Sequence, residues 1–508
     1  MTKTYILAHD TGTGGDKAVL TDLEGRVVRS AYRPYDVHYP RTDWAEQDPD
    51  ELWQAFAATT REVLDGVDPA AVLGVGVSAQ MFNLLPVDAD CRPVMPMLSW
   101  QDVRSVAQAD RLLEPATRAF LFERTANVPT AKDVIPKILW LKEERPDLWE
   151  RTRWLLDCKE YILFRLTGVV GIDWHGASVF FLFDPRGKTW DRAVCERLGI
   201  PVEKLPPAHP PTEVIGDVTA AAAAQTGLAA GTPVVICAGD VAVAQSGSGA
   251  NREGRAHLCI GTATWVGVSS ATLRNDPDTP FWALNHIDPG KWVIAGEMES
   301  GGGALQWYRD LLCADEAREA RERGVSTYRV LDEQAAAVPA GSDELIFTPW
   351  LAGERAPVLD HYARGGFTGL SLGHTKGHLT RTVMEGVAYH IRWIVETMER
   401  VGFAIEAMQA IGGGSASPLW TQIIADVSGR RLNVVEHPLE AGARGAALTV
   451  AVGLGVYPGM DAVDDLITVS RTVEPRGENK TVYERRYRTF RELYAALAPI
   501  YHGAPDAG

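Results

Sequence analysis

The chain has 508 residues, of which 46% are hydrophobic and 23% charged, and its formal net charge is −16 at pH 7. That length exceeds what one hydrophobic core supports and predicts two or three globular domains. The negative charge argues against nucleic acid or an anionic membrane as the main partner, because both need a basic face, whereas local loops can still hold a small anion.

The cysteines indicate a reducing environment. Six are scattered along the chain, several inside apolar runs such as "VVICAGD", and their spacing does not resemble that of a metal site. Buried free thiols in a reducing cytoplasm explain this pattern most simply. The first residues lack the apolar core of a signal peptide, and no apolar run reaches membrane length. We therefore expect a soluble, cytoplasmic protein without a membrane partner.

The first predicted element is a hairpin, "YILAHDTGTGGDKAVLTD", with a glycine-rich turn between two apolar strands. Residues 11–15 contain three glycines, more than a two-residue hairpin turn requires. Glycine lets main-chain N–H groups approach a ligand, and successive N–H groups form an anion-binding nest. Asp10 before the turn and Lys17 after it add one group for a cation and one for a phosphate. An ordinary flexible hairpin has the same pattern, so the motif alone leaves both interpretations open.

Further along the chain, helices and strands alternate. Asp48 followed by Pro49 is typical of a helix start, and the apolar spacing predicts a helix that ends near Asp65. A buried strand, a break at residues 78–83 and a second strand follow. The pattern of residues 106–165 is mostly helical.

A change of composition suggests where the domains meet. Prolines and an alanine run dominate residues 201–232. We place the boundary shortly after this segment and predict domains of residues 1–238 and 239–508.

The second domain repeats the features of the first. "PVVICAGD" predicts a strand that leads into a helix at Asp240, and "AHLCIGTATWVGVSS" predicts another hairpin with a glycine-containing tip. In "MQAIGGGSASPLWTQIIADVSG", a strand runs into three glycines, and Ser417–Pro418 then starts a helix that ends at Gly429. Glycines between a strand and a helix start favour a bound ligand, although a tight connection is the alternative. The phosphate-binding pattern GxxxxGK[ST] does not occur near these loops.

Eight segments, in order, resemble the motifs of one family, the FGGY carbohydrate kinases, and within it the xylulokinase branch most closely. They are "DTGTGGDK", "DWAEQDPDELW", "SWQDVRS", "CAGDVAVAQSGSGA", "IGTATW", "PWLAGERAP", "GGFTGLSLGHTKGHLTRTVMEGVAY" and "IGGGSASPLWTQIIADVSG". The resemblance implies an α/β fold of two ribonuclease-H-like domains, similar to actin-like ATPases, with a cleft between them. It also implies phosphoryl transfer from ATP, with Mg²⁺, to a sugar hydroxyl, D-xylulose to D-xylulose 5-phosphate being the first expectation. A homodimer is expected from the resemblance alone.

The same resemblance assigns site residues. It implies that the sugar is bound by Gln80, Met81, Phe82, Trp100, Asp102, Arg104 and Asp240. It implies that ATP is bound by Asp10, Gly12, Thr13, Lys17, Gly261, Thr262, Gly412, Gly413 and Gly414. Asp10 is expected to hold Mg²⁺ through water, since Mg²⁺ prefers one or two carboxylates together with phosphate oxygens.

Asp240 is the expected catalytic base, because phosphoryl transfer needs a group that accepts the proton of the sugar hydroxyl. An Asp at a helix start is also a common structural cap. The helix N-terminus is expected to keep this carboxylate ionised, which suits a base that acts through its position.

Two departures from the xylulokinase pattern leave the sugar open. Phe82 stands where those enzymes usually have His, and Val241 follows the expected base where they usually have Asn. Another ketose, a polyol or a sugar acid is therefore an alternative substrate. From other classes, a non-catalytic actin-like ATPase and a catalytically silent sugar sensor are the alternatives.

Overall fold

The computed structural model describes residues 4–503. In its first half the strands are β1 (Tyr5–Gly12), β2 (Gly15–Thr21), β3 (Val27–Pro34), β4 (His38–Arg41), β5 (Trp44–Gln47), β6 (Val72–Ala79), β7 (Leu85–Val87), β8 (Met97–Leu98), β9 (Trp154–Leu156), β10 (Ile172–Asp173), β11 (Phe183–Asp184), β12 (Thr189–Trp190), β13 (Ala208–His209), β14 (Val214–Asp217) and β15 (Pro233–Val235). The helices are α1 (Pro49–Val63), α2 (Val106–Leu112), α3 (Pro115–Thr125), α4 (Val134–Glu144), α5 (Pro146–Arg151), α6 (Cys158–Thr167), α7 (Trp174–Val179), α8 (Arg192–Leu198) and α9 (Ala220–Thr226).

The second half has the strands β16 (Ala256–Ile260), β17 (Thr264–Ser270), β18 (Trp282–Asn285), β19 (Trp292–Met298), β20 (Ile346–Thr348), β21 (Gly366–Thr368), β22 (Ala407–Ile411), β23 (Arg431–Val435) and β24 (Val469–Val473). Its helices are α10 (Asp240–Gly247), α11 (Gly301–Leu312), α12 (Ala314–Arg323), α13 (Thr327–Ala336), α14 (Lys376–Arg400), α15 (Pro418–Ser428), α16 (Ala441–Gly453), α17 (Met460–Val463) and α18 (Lys480–Gly503).

The two main sheets share one strand order over six strands, and the second sheet has the additional edge strand β18. The first has the order β14-β15-β6-β1-β2-β3, and the second has β18-β19-β17-β16-β22-β23-β24. In each, an antiparallel hairpin (β1–β2 or β16–β17) adjoins two parallel strands (β6 and β15, or β22 and β23). Both hairpins that the sequence predicted are therefore present, at equivalent places in the two sheets.

Side chains alternate between the faces of the first sheet, as period-two strands require. Leu7 of β1 points into a cluster that includes Phe56 of α1. Its neighbours Ile6 and Ala8 point to the other face, where α10 and α16 pack through residues such as Ala446. Since α16 comes from the second half of the chain, this helix pair joins the halves. In chain order, the last strand of the first sheet is β15, which ends at Val235, and the first strand of the second sheet is β16, which begins at Ala256. The predicted domain boundary at residue 238 lies between these two strands and stays a prediction.

Local helix signals in the sequence are confirmed. Asp48 caps α1 by accepting a hydrogen bond from the N–H of Asp50, and Pro49 is the first helical residue. Ser417 caps α15, which ends at the left-handed Gly429. Among residues 4–503, no helix combines the length and the apolar character needed to cross a bilayer.

Candidate active site

Two adjacent cavities share part of their lining at the tip of the β16–β17 hairpin. The first cavity has a volume of about 540 Å³ and the second about 560 Å³. Gly261, Thr262 and Gln306 line both of them. A ligand that is bulky at one end and extended in the middle can therefore occupy the second cavity and reach the first along the hairpin tip.

This hairpin tip rests on the start of α11. The N–H of Gly302 donates to the carbonyl of Gly261 at 2.8 Å, and the N–H of Gly303 donates to that of Thr262 at 2.9 Å. A Cβ atom at Gly302 would lie 2.2 Å from the Gly261 oxygen, so only glycine permits this approach. The first turn of α11 thereby fixes the tip that borders both cavities.

The β1–β2 tip reaches the first cavity from the other sheet. Thr13 and Gly14 line the cavity. The indole N–H of Trp100 donates to the Thr13 hydroxyl at 2.8 Å, and the Gln47 amide donates to the Thr13 carbonyl at 2.9 Å. The glycine-rich turn is thus held by side chains, although its composition suggested a flexible hairpin as an alternative.

Asp240 is the first residue of α10, follows the helix cap Gly239 and lines the first cavity. Burial, followed by the nearby charge of Asp10, raises its pKa from 3.8 to about 8. A hydrogen bond from the N–H of Val241 acts in the opposite direction. The expectation that the helix N-terminus keeps Asp240 ionised is therefore wrong for the free protein, because desolvation outweighs the helix end.

Asp10 lies against the first turn of α16. A Cβ atom at Gly442 would stand 2.5 Å from Oδ2 of Asp10. Burial raises the pKa of Asp10 as well, while the neighbouring Lys17 lowers it. The Lys17 ammonium itself donates to the carbonyl of Leu439 at 2.6 Å, so it joins the two halves of the chain at this point. Neither Asp10 nor Lys17 is among the residues that line the cavities.

One side of the first cavity is built by the polar Gln80 and the largely apolar Met81, Phe82 and Trp100, all of which the sequence singled out. Phe82 has a left-handed backbone (φ +65°), and its ring stacks on Trp282 with 4.6 Å between centroids. Trp282 belongs to β18, at the edge of the second sheet. The helical region of the first half packs on this edge, and that contact brings the two rings together.

Two ion pairs cross from one half of the chain to the other in the first cavity. Lys132 pairs with Glu299 at 2.6 Å, and Arg355 pairs with Asp133 at 3.1 Å. Residues of the pairs line the cavity together with two further carboxylates, Glu297 and Asp240. Burial, followed by the charge of Glu299, raises the pKa of Glu297.

Three buried polar atoms of the first cavity have no hydrogen-bond partner within residues 4–503. They are Oε1 of Gln80, Nε1 of Trp282 and Nε of Arg355. Each residue is less than 6% exposed, and all three line the cavity. Buried polar atoms are normally paired, so these atoms, one acceptor and two donors, are candidates for contact with a ligand.

Asp102 and Arg104 are placed differently from the sequence prediction. Neither is among the residues lining a cavity; instead they form a fully buried ion pair at 2.7 Å. Arg104 also pairs with Glu46, and its guanidinium lies 3.7 Å from the ring centroid of Trp44. The cavity lining does not support the predicted direct contact of Asp102 and Arg104 with the sugar, and that contact stays a prediction.

The second cavity has a glycine-rich edge and a polar side. Gly413, Gly414 and Ser417 form the edge, and Tyr328 and Asp332 belong to the polar side. Gly412 does not line the cavity, but its left-handed backbone (φ +84°) makes the turn that presents its neighbours. A Cβ atom there would lie 2.7 Å from the carbonyl oxygen of Ile260.

Sequence reasoning missed several residues of the first cavity: Lys132, Asp133, Trp265, Trp282, Glu297, Glu299, Gln306 and Arg355. Two signals were present. Glu297 is a carboxylate inside the apolar strand "WVIAGEM", and Arg355 lies in the quoted "PWLAGERAP" without an assigned role. Lys132 and Trp282 carry no local signal, because tertiary packing alone brings them to the cavity.

The fold and these cavities are those of a two-domain kinase with ribonuclease-H-like, actin-like domains. Such a kinase transfers a phosphoryl group from ATP to a sugar. The N-terminal domain model of the FGGY family of carbohydrate kinases matches residues 5–247, and the C-terminal domain model matches residues 256–454. The chain belongs to the FGGY family of carbohydrate kinases. The predicted fold class is thereby confirmed, and the non-catalytic alternatives are set aside.

Named relatives differ in their sugar. A gluconokinase of Bacillus subtilis is 29% identical over 98% of this chain and 96% of its own length. A xylulose kinase of Staphylococcus epidermidis is 28% identical over 97% of each. Among solved structures, a xylulose kinase from Rhodospirillum rubrum is 33% identical with a TM-score of 0.85, covering 98% of this chain and 100% of that one.

Proposed function

We propose that this carbohydrate kinase phosphorylates an uncharged ketose, with D-xylulose, converted to D-xylulose 5-phosphate, as the first candidate. The ketose would occupy the first cavity and the adenosine of ATP the second. The β16–β17 tip, which lines both cavities, would then border the triphosphate.

The charge of the first cavity carries the proposal. Five carboxyl residues line it (Asp36, Asp133, Asp240, Glu297 and Glu299) against the two cations Lys132 and Arg355, and both cations are already paired. A sugar acid would bring a sixth carboxyl group into a region where burial and like charge already raise the pKa of Asp240 and Glu297 and so disfavour negative charge. An uncharged polyhydroxy compound avoids that repulsion, and its hydroxyls can donate to the carboxylates.

A carbonyl group distinguishes a ketose from a polyol. The two unpaired donors, Nε of Arg355 and Nε1 of Trp282, come from side chains that stack, with the guanidinium carbon 4.6 Å from the indole centroid. A carbonyl oxygen has two acceptor lone pairs and no proton to place, so it suits a site that presents two donors. Oε1 of Gln80 is left to accept from a hydroxyl.

Asp240 would act as the base. As the sugar oxygen attacks the γ-phosphorus, the hydroxyl proton passes to the carboxylate and the bond to ADP breaks. Because its pKa is raised, the ionised form of Asp240 is a stronger base than an exposed Asp, and a cation bound beside Asp10 would favour that ionised form. The two ion pairs between the halves of the chain would hold the cavity closed against water, which competes with the sugar as acceptor.

Magnesium is part of the proposal. A carboxylate is a suitable ligand for this ion, and only a glycine at position 442 lets the backbone of α16 approach the Asp10 carboxylate this closely, because a Cβ there would lie 2.5 Å from Oδ2. Asp10 would hold the ion, with water between. When bound, Mg²⁺ would neutralise phosphate charge during transfer.

Gluconate is the second candidate. The unpaired donors on Arg355 and Trp282 would also receive a carboxylate, and the Bacillus subtilis relative is named gluconokinase. The raised pKa values of Asp240 and Glu297 also favour this alternative, because protons on these two groups reduce the acid excess of the cavity.

The deciding experiment is an acceptor panel. ADP release with saturating ATP and Mg²⁺ is measured for D-xylulose, L-xylulose, D-ribulose, D-gluconate and glycerol, with an Asp240→Asn protein as the blank. We expect the highest kcat/KM for a ketopentose, D-xylulose first. A higher kcat/KM for D-gluconate would refute the charge argument. Omitting Mg²⁺ in the same assay should abolish turnover.

A further inference from the structure

Lys137 is a fully buried lysine that no step of the proposed reaction uses. It lies on α4 and is 0% exposed. Its ammonium donates to three backbone carbonyls, those of Phe82 at 2.8 Å, Ser99 at 2.8 Å and Lys132 at 2.7 Å. All three of its donors are thereby satisfied, and hydrogen bonds from a charged donor are stronger than neutral ones.

The three acceptors belong to the three first-half segments that form the wall of the first cavity. Phe82 lies in this wall itself, Ser99 immediately precedes Trp100, and Lys132 lines the cavity beside Asp133. These segments are separate in sequence, and one ammonium group joins them.

Two of the joined positions need support. Phe82 has φ +65°, a conformation that bulky side chains adopt only when their surroundings enforce it. Lys132 crosses to Glu299 in the other half of the chain, so the position of its backbone determines where that ion pair forms. The hydrogen bonds from Lys137 to the carbonyls of Phe82 and Lys132 fix the backbone positions of both residues.

The charge of Lys137 is compensated locally. Burial lowers its pKa to about 8, whereas the carboxylates of Asp102, Asp133 and Asp157 favour its charged form and Lys132 opposes it. At neutral pH the group is therefore still largely protonated.

We infer that Lys137 is a positioning residue that sets the geometry of the acceptor-sugar wall, and through it the affinity for the sugar and the choice among sugars. The inference rests on the proposed location of the sugar in the first cavity. Lys137 does not contact the sugar or ATP in this role. It acts through Phe82, Trp100 and Lys132.

The test compares two lysines of the same helix. Lys137→Met keeps the aliphatic stem and removes the three hydrogen bonds. Lys142→Met is the matched control, because Lys142 donates to the carbonyls of Leu198 and Gly199, which do not line the first cavity. For both proteins, kcat and KM are measured separately for sugar and for ATP, with the best acceptor of the wild-type panel. ADP binding is measured by calorimetry.

We expect Lys137→Met to lower kcat/KM for the sugar by about 100-fold, as a misplacement near 1 Å does. Its KM for ATP and its ADP affinity should stay within about twofold, and its preference for the best acceptor over the second should shrink. Lys142→Met should change none of these. The inference is overturned if Lys137→Met keeps sugar kcat/KM within about threefold, or if it loses ADP binding, since Lys137 would then serve the whole fold. Should the panel reveal an acceptor other than a ketose, the proposed substrate fails while this comparison is still decisive with that acceptor.

Discussion

The carboxylate of Asp10 lies close enough to that of Asp240 to oppose its ionisation, although Asp10 lies near the end of the strand β1 and Asp240 starts the helix α10. Burial contributes more, and together they raise the pKa of Asp240 to about 8. The free protein therefore holds a proton on the residue that must accept one during catalysis. A bound cation beside Asp10 would remove the repulsion and prepare Asp240 for its role.

This relationship predicts how stability depends on pH. The pKa of Asp240 is higher in the folded protein than the ordinary value of 3.8, so the folded state binds this proton more tightly. The stabilising effect of the proton is complete below pH 4 and is lost as pH rises towards 8. Asp240→Asn cannot ionise and should be more stable than wild type at pH 7, by roughly 2–4 kcal/mol.

Urea unfolding of both proteins between pH 4 and pH 8.5, with EDTA and without nucleotide, measures this difference. The gain of Asp240→Asn should shrink towards zero near pH 4 and level off above pH 8. A difference that does not vary with pH would show that Asp240 titrates normally in the folded protein.

The role of Asp240 in catalysis predicts a separate result. Asp240→Ala should fold and bind ADP normally but lose roughly 1000-fold in kcat, within the range of general-base effects. Asp68→Ala is the control, because Asp68 caps a short 3₁₀ helix and does not line either cavity. The kcat values of wild type and both variants are measured by a coupled assay of ADP release with the best acceptor. Retention of activity within about tenfold would exclude the assignment.

Local sequence pattern was sufficient for the parts of the site that lie at the ends of strands. Asp10, Thr13, Thr262 and Asp240 follow or precede apolar runs, and a strand end is fixed by short-range preferences. The two hairpins were therefore found, together with the helix starts at Pro49 and Pro418.

Tertiary contacts determine the features of the site that the local sequence pattern does not predict. Arg104 was expected at the sugar, but Glu46 from β5 and the ring of Trp44 hold it inside the fold. Arg355 and Asp133 are separated by 222 residues, so no local pattern indicates that they meet. The pKa of Asp240 likewise depends on desolvation and on Asp10, neither of which is visible at a helix start.

The unpaired indole nitrogen of Trp282 predicts a selective effect on sugar binding. Trp282→Phe keeps an aromatic ring against Phe82 and removes the donor together with part of the indole volume. We expect KM for the sugar to rise about tenfold, the cost of one buried hydrogen bond near 1.4 kcal/mol, with KM for ATP unchanged. Trp190→Phe is the control, since the indole of Trp190 donates to the carbonyl of Pro206 away from both cavities. The measurement is steady-state kinetics with each substrate varied in turn. Equal KM values for the sugar in the two variants would contradict the role of the Trp282 indole.

A substitution at Gly412 is expected to weaken the binding of ATP and to leave the binding of the sugar unchanged. Alanine there would adopt an unfavourable φ near +84° and place its Cβ 2.7 Å from the Ile260 carbonyl oxygen, which displaces the glycine-rich edge of the second cavity. Gly412→Ala should therefore raise KM for ATP about tenfold or more, a loss of at least 1.4 kcal/mol, while the affinity for the sugar is kept. Gly429→Ala is the matched control at the far end of α15. Its φ is +66°, but its Cβ would meet nothing within 4 Å, so only backbone strain of roughly 1–2 kcal/mol is expected there. Thermal unfolding should show both variants destabilised, and nucleotide kinetics should separate them. An unchanged KM for ATP in Gly412→Ala would mean that this turn does not shape the nucleotide site.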